Sequence, residues 1–417
     1  MKHVRIGIML LALLAAGGSW VEAGALKGEA VRGKAAPVAA SASTGRADKS
    51  FPSGEKIGAK GPVIEVGLLS GMKEAKIRCL GKSSAESGGR TLARYGRGEM
   101  LTVTRSGKTI SVNGKKMTGP VYLRGEGGGA AFSVKGREYR GDVKLIPSAY
   151  TAGVTVVNAL SMEEYLCGVL PGEVSPSWHK DALRAQAVAA RTYAMYHRDG
   201  YRSAGYDVTD DTRSQVYLGT GAESEAATKA VYDTAGEVVT YGGRPIDAVF
   251  HASGGGYTEN SENVWGSRLP YLRGVAEEAS PEVSRRWEKS VPLASFENAA
   301  GVGKLKKIGL SPLKKGPVKA RDRGVSGRVL SVALEGSKGK KTLSGSSMQS
   351  LFGLASTLFD LDVKGKNVVI TGYGAGHGLG LSQWGAEAMA EKHGNGKDYY
   401  KTILTHYFQG TKVEKIY

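Results

Sequence analysis

Residues 179–198, HKDALRAQAVAARTYAMYHR, limit what this chain can fold into more than any other stretch. Six alanines between Ala182 and Ala194 give it strong intrinsic helix propensity. On a helical projection Leu183, Ala187, Ala190 and Ala194 form one apolar stripe. Ala185, Ala189, Thr192 and Tyr196 make the opposite face almost as apolar. A helix that is apolar on both sides must be wrapped by other elements, so the segment predicts a buried central helix. Gln186 and Arg191 then ride on a buried rod and must find polar partners. Ser175 or Ser177 is the expected cap, Pro176 suits the first turn, and Gly200 is the expected stop.

The elements around this helix are short strands. From PVIEVGLLSG (62–71) to LIPSAY (145–150), β-branched runs alternate with glycine turns, and Asn113-Gly114 carries a hairpin signal. GVTVVNALSMEEYLCGVL (153–170) reads as a strand followed by a short helical turn. EVVTYGG (237–243) and IDAVFHAS (246–253) read as strands ahead of the turn GGGY (254–257). GYGAGHGLGL (372–381) has glycine at every second position from Gly372 to Gly380, the pattern of a strand with one bare face. A bare face admits a second backbone or the wall of a ligand groove. A helix capped by Ser382 and closed at Gly394 follows, and a last helix covers 398–409.

The expected fold class is therefore α+β, with a β-rich N-terminal region over 61–150 and a mixed domain over 151–417. A lysine- and arginine-rich stretch, 285–341, reads as a basic insertion into that domain.

The chain carries a net charge of +18, which suits nucleic acid, anionic lipid or an anionic wall polymer. Its N-terminus chooses among them. Lys2, His3 and Arg5 precede an apolar run from Ile6 to Ala16 and a small-residue site ending at Ala23. Residues 1–23 thus read as an export signal, and 24–60, rich in Ala, Gly, Ser and Lys, as a linker. Export to the cell envelope excludes nucleic acid as the natural partner; an uncleaved signal would tether the protein to the membrane. Cys79 and Cys167 are the only cysteines, and nothing in their spacing says whether they pair. Neither Cys-x-x-Cys nor His-x-x-x-His spacing occurs, so a structural zinc site has no support.

Four places carry chemistry. Glu173 is read as a loop carboxylate backed by Leu170, Val174 and Trp178, where burial would raise its pKa as a general acid requires. The same residue would also complement the N-terminal dipole of the helix that follows. His251 and Ser253 either line a site opened by the glycines after them or simply end a strand. Asp210 and Asp211 are adjacent, so on an extended chain they point apart, as in a solvated turn. His377 sits among the alternating glycines, but the stretch fits no nucleotide fingerprint, phosphate loop or nucleophile elbow.

At NALSMEEYLCGVLPGEVSPSWHKDALRAQAVAARTYA (158–194), DDTRSQVYLG (210–219), AVFHASGGGYTENSENVWG (248–266) and GAGHGLGLSQWGAEAMA (374–390), the chain resembles the SpoIID/LytB family of bacterial cell-wall proteins. The order and spacing agree from about residue 61 to residue 417. The resemblance implies a lytic transglycosylase acting on peptidoglycan glycan strands, some of them stripped of stem peptides. Its catalytic acid would be Glu173, with Gln186, Arg191, Gln215, Ser253, His377, Ser382 and Gln383 forming or supporting the groove. Other members are described as enhancers of a cell-wall amidase, which is the alternative reading. Some members hold zinc through cysteines and histidines near the DD-x-x-x-QVY motif. Here that stretch is TDDTRSQ, with Thr209 and Ser214 and no cysteine, so neither zinc nor another cofactor is expected.

Overall fold

The computed structural model describes residues 61–126, 131–314, 316–394 and 396–417. The proposed export signal and the linker lie outside the described residues.

The β-rich region forms two layers, antiparallel except where Val208–Thr209 runs parallel to Val63–Met72. One is a seven-stranded sheet in the order Val208–Thr209, Val63–Met72, Val154–Ser161, Asp142–Pro147, Val121–Gly125, Ser83–Ser87 and Arg90–Tyr95. The other has six strands, Arg137–Tyr139, Phe132–Val134, Glu74–Cys79, Met100–Ser106, Thr109–Val112 and Lys115–Thr118. Asn113 and Gly114 both have positive φ, 48° and 82°, as the hairpin between the last two strands requires. Val154–Ser161 pairs with Val63–Met72 over most of its length, so the sheet runs through the expected boundary at residue 150. The β layers and the helices share one apolar core.

Ser161 ends that strand and begins α1, Met162–Glu173. Its hydroxyl caps the helix by accepting from the amide of Glu164 at 3.4 Å and donates to the Glu164 carboxylate at 2.7 Å. The expected short turn is thus a twelve-residue helix, and Pro171 does not stop it. A proline one turn from the C-terminus removes only one hydrogen bond, and the buried face of Tyr165, Leu166, Val169 and Leu170 outweighs that loss. Helix α2, Lys180–Tyr196, is the buried rod, packed against α1 and against α3, Glu225–Asp233. Its cap is His179, whose Nδ1 accepts from the amide of Asp181 at 3.2 Å, in place of Ser175 or Ser177. Those two serines instead bond each other at 2.9 Å in the connection. The helix ends at His197, three residues before Gly200.

After α4, Ser261–Trp265, the basic segment builds a body of its own. It contains the sheet Arg286–Pro292, Asn367–Tyr373 and Phe359–Lys364, the sheet Leu305–Gly309, Ser331–Gly336 and Gly339–Ser344, and helices α5, Leu293–Ala300, and α6, Gly345–Phe352. Phe296, Val332, Leu334, Met348, Phe359 and Ile370 make a second core. This unit reaches past the expected limit at 341, because Asn367–Tyr373 supplies the central strand of its sheet. The insertion is a folded body.

The chain then returns through the alternating glycines to α7, Gln383–His393, and α8, Tyr399–Tyr407. Ser382 caps α7 as expected, accepting from the amide of Gly385 at 3.2 Å. The glycine stretch itself differs from the expected strand. Only Asn367–Tyr373 and Leu381–Ser382 are strand, and Gly374, Gly376, Gly378 and Gly380 have φ of 65°, 93°, 82° and 66°. The alternation therefore records a left-handed backbone at every second residue. The side of each glycine is also occupied. A Cβ on Gly374 would meet the Ser253 carbonyl at 2.7 Å, and one on Gly380 the Val249 carbonyl at 2.2 Å. The groove wall proposed for these glycines is covered by residues 249–255 and the Arg328 guanidinium. Gly380→Ala is expected to destabilise the protein by about 2 kcal/mol, through backbone strain and the clash with a main-chain oxygen. Urea denaturation would read this, and a change below about 0.5 kcal/mol would show that the backbones separate freely.

Candidate functional site

Glu173 is the last residue of α1, not a loop residue. Gly168 and Gly172, one turn apart on that helix, allow the segment 216–218 to lie directly on it. A Cβ at Gly168 would meet the Tyr217 ring at 2.6 Å, and one at Gly172 the Val216 carbonyl at 3.1 Å. The Leu218 amide bonds the Gly168 carbonyl at 3.1 Å, and the Val216 amide donates to Glu173 Oε1 at 3.4 Å. Glu173 Oε2 is sealed by its surroundings and has no hydrogen-bond partner. Gln383, at the start of α7, brings its amide close enough to favour the carboxylate, yet its Nε2 also has no partner. Burial outweighs both the Val216 amide and Gln383 and pushes the Glu173 carboxyl up to about 7.

The carboxyl opens on a small cleft lined by Tyr193, Thr212, Ser214, Gln215, Val216, Val249 and Phe250. Tyr193 comes from α2, and Val249 and Phe250 from the segment zipped to the glycine stretch. Gln215 is locked by its neighbours, accepting from the Tyr165 hydroxyl at 3.2 Å and donating to the Ala190 carbonyl at 3.3 Å. A carboxyl half-protonated near neutrality, with one oxygen unengaged in a water-poor cleft, can both give a proton and take one back.

The structure gathers Glu173, Gln215 and Gln383 here; the other expected groove residues have different surroundings. Arg191 is fully buried and holds Glu163 through two bonds, Nε to Oε1 at 3.0 Å and Nη2 to Oε2 at 2.5 Å. Its remaining donors go to the carbonyls of Val231 and Glu237 and to Thr234. Its role is structural, because the rod found its polar partner inside the protein. Gln186 is buried with neither amide atom hydrogen-bonded. It lies two helical turns before Tyr193, on the same face of α2.

Ser253 exchanges two backbone bonds with Ala375, and its hydroxyl accepts from the amide of Gly255 at 3.3 Å. Ser382 serves α7 as its cap and also accepts from the amide of Gly254 at 3.4 Å. His377 uses both ring nitrogens on the backbone. Nδ1 accepts from the Leu379 amide at 3.0 Å, and Nε2 donates to the Phe250 carbonyl at 3.1 Å. Burial, reinforced by Arg328, lowers its pKa to about 4, so the ring is neutral. His251 is buried and donates from Nδ1 to the Leu379 carbonyl at 3.0 Å; burial holds it well below the usual histidine range.

Asp210 and Asp211 do not line the cleft. Burial, then Asp211, raises Asp210; Asp211 is lowered despite burial, because Arg213 and Thr209 bond it. Zinc does not fit this stretch. Thr209 Oγ1 bonds Asp211 and Ser214 at 3.0 and 3.2 Å, a closed set of hydroxyls and one carboxylate without thiolate or imidazole. Cys79 and Cys167 are both buried free thiols.

Sequence reasoning missed Tyr193 and Arg328. Tyr193 had a signal, as a large polar aromatic on a rod of alanines. Arg328 had none, because its place under Gly378 is set by tertiary packing; its Nη1 donates to the Gly254 carbonyl at 3.0 Å. With Glu259, which accepts from Val325 and Ser326, it pins the inserted body to residues 254–259.

Comparison with known proteins gives two family matches. Residues 150–241 match the stage II sporulation protein (SpoIID) family, and residues 282–380 match a domain of unknown function, DUF8618. The second span coincides with the inserted body. An uncharacterized protein of Brachyspira hyodysenteriae is 33% identical over 320 residues, 75% of this chain and 81% of that protein. Stage II sporulation protein D of Bacillus subtilis is 34% identical over 288 residues, 65% of this chain and 79% of that protein. The amidase enhancer of Bacillus subtilis is 30% identical over 326 residues, covering 68% of this chain and 45% of that protein.

Proposed function

Because the chain belongs to the SpoIID/LytB family, we propose that it is a peptidoglycan lytic transglycosylase in which Glu173 is both acid and base. The observation that carries the reading is the Glu173 carboxyl itself, raised to about 7 on a residue that lines the cleft. Protonated Glu173 gives its proton to the oxygen joining N-acetylmuramic acid to N-acetylglucosamine. The C1–O bond breaks, its electron pair stays on that oxygen, and an oxocarbenium-like centre forms at C1. The resulting carboxylate takes the proton of the muramoyl 6-hydroxyl as O6 closes on C1, giving a 1,6-anhydro ring. Atoms and charge balance with no water, metal or second carboxylate. Gln383 is placed to donate to the carboxylate when it forms, and Tyr193 and Phe250 wall the reacting ring from solvent.

In this reading the protein acts in the cell envelope, reached through residues 1–23. The test is purified protein on intact and peptide-stripped glycan strands, with mass spectrometry of the products. Anhydro-muramoyl ends support the reading, and reducing ends in their place would point to hydrolysis. One relative favours a second reading. The resemblance to an amidase enhancer suits a protein that binds strands and stimulates an amidase without cutting. Strand binding and amidase stimulation without any cleavage would establish it.

The pH profile follows from the acid's protonation. The reactive form is the protonated one, so kcat/KM should be flat below pH 7 and fall about tenfold per unit above it. A rate still level at pH 9 would show that Glu173 is not the acid.

A further inference from the structure

We propose that Trp265 is a stacking platform that seats one saccharide of a glycan strand beside the Glu173 cleft. This rests on the glycan-strand reading above and adds a binding subsite to it.

Trp265 is the one exposed tryptophan among the described residues, at 44%. It ends the five-residue helix α4, and its display is rigid. Gly266 follows in the left-handed region, and its amide closes on the Glu262 carbonyl at 3.0 Å. Ser261 bonds both the Ser267 carbonyl and the Leu269 amide, at 2.9 and 2.7 Å. Glu259, buried, accepts from the Asn260 amide and the Asn263 side chain, both at 2.8 Å. Asn260 Oδ1 accepts from the Gly274 amide at 2.9 Å. Arg273 clasps Glu262 through two bonds of 2.6 Å. A free exposed indole gains nothing from such bracing, whereas a ligand platform gains affinity when its ordering is complete beforehand.

Position gives the ligand. The Trp265 ring lies 6.0 Å from the His377 ring, centroid to centroid. His377 donates to the Phe250 carbonyl, and Phe250 lines the Glu173 cleft. The indole therefore stands three contacts from the proposed acid, on a backing whose imidazole is neutral and fixed. Neutral backing suits a neutral ring better than an anion or a cation. A pyranose offers one apolar C–H face and polar groups around its rim, so it covers an indole while its hydroxyls stay in water. Trp178 and Trp384, 4.7 Å apart, form a second, half-buried aromatic pair beside Gln383.

The experiment uses the Glu173→Gln protein, so that binding is read without turnover, and glycan strands stripped of stem peptides as the probe. Affinity is measured at 0.15 and 0.5 M salt, where screening weakens the attraction of a +18 chain for charged strands but not stacking. Adding Trp265→Ala should weaken binding about tenfold or more at both salts, and Trp265→Phe should restore most of it. Tyr232→Ala, which removes an exposed ring on α3, should leave affinity unchanged. Unaltered binding by folded Trp265→Ala, or equal weakening by Tyr232→Ala, overturns the proposal. If the protein proves to be a binder without lytic activity, the Trp265 result still stands or falls by itself.

Discussion

Glu173→Gln is expected to abolish anhydro-muramoyl product, lowering the rate by about 10²–10⁴-fold, while making the protein more stable above neutral pH. The two effects share one cause. The folded carboxyl titrates at about 7 and the unfolded one near its ordinary 4.5, because burial opposes its ionisation. As pH rises through that interval the unfolded chain loses its proton first, and folding stability falls. Below pH 4.5 both states are protonated and the penalty vanishes; above pH 7 it is complete, at about 3 kcal/mol. Glutamine keeps the shape and cannot ionise, so the gap between variant and wild type should open between those limits. Product analysis reads the first effect, and urea midpoints at pH 4 and 8.5 read the second. An inactive variant with no stability gain at pH 8.5 would mean that the carboxyl is well solvated and its role not that of a raised acid. Glu387, also raised to about 7 by burial while accepting from the His179 amide, adds pH dependence of the same sign, so the variant should remove only part of it.

Arg191→Ala should cost about 3–5 kcal/mol of stability. The arginine is fully buried, and its loss leaves the Glu163 carboxylate in the core with, among the described residues, the Gly236 amide at 3.1 Å and the Tyr417 hydroxyl at 2.7 Å. Pairing the change with Glu163→Leu should recover part of the loss, since removing both charges removes the unpaired one. Urea denaturation of the two single variants and the double closes the cycle. A groove residue would behave differently: Arg191→Ala would then unfold like wild type and bind glycan strands poorly. That outcome would return Arg191 to the site.

The difference between what could and could not be read from residue order is physical. The buried rod was legible because apolarity on both faces of a helix leaves it only one environment. The Ser382 cap and the Asn113-Gly114 hairpin were legible because both depend on a few adjacent residues. The burial of Glu173 was legible through its apolar neighbours, but its position was not. Pro171 suggested a loop, and only the packed face of α1 shows why the helix continues to Glu173. The alternating glycines misled because a period of two is also what a bare strand face would give. Their positive φ depends on residues 249–255 lying alongside, more than a hundred positions earlier. His377 was chosen for its chemistry, yet both its nitrogens are taken by main-chain groups that sequence cannot place.

The Tyr417 hydroxyl on Glu163 joins residues 254 positions apart, and Lys412–Lys415 pairs with Glu237–Tyr241 beside the same rod. The central helix is thus partly enclosed by elements that lie far beyond it in the sequence. A growing chain would carry the rod with one side open until the strand at 412–415 arrives. Such long-range closure makes folding slow, because strands this distant in sequence must meet before that side of the core is covered.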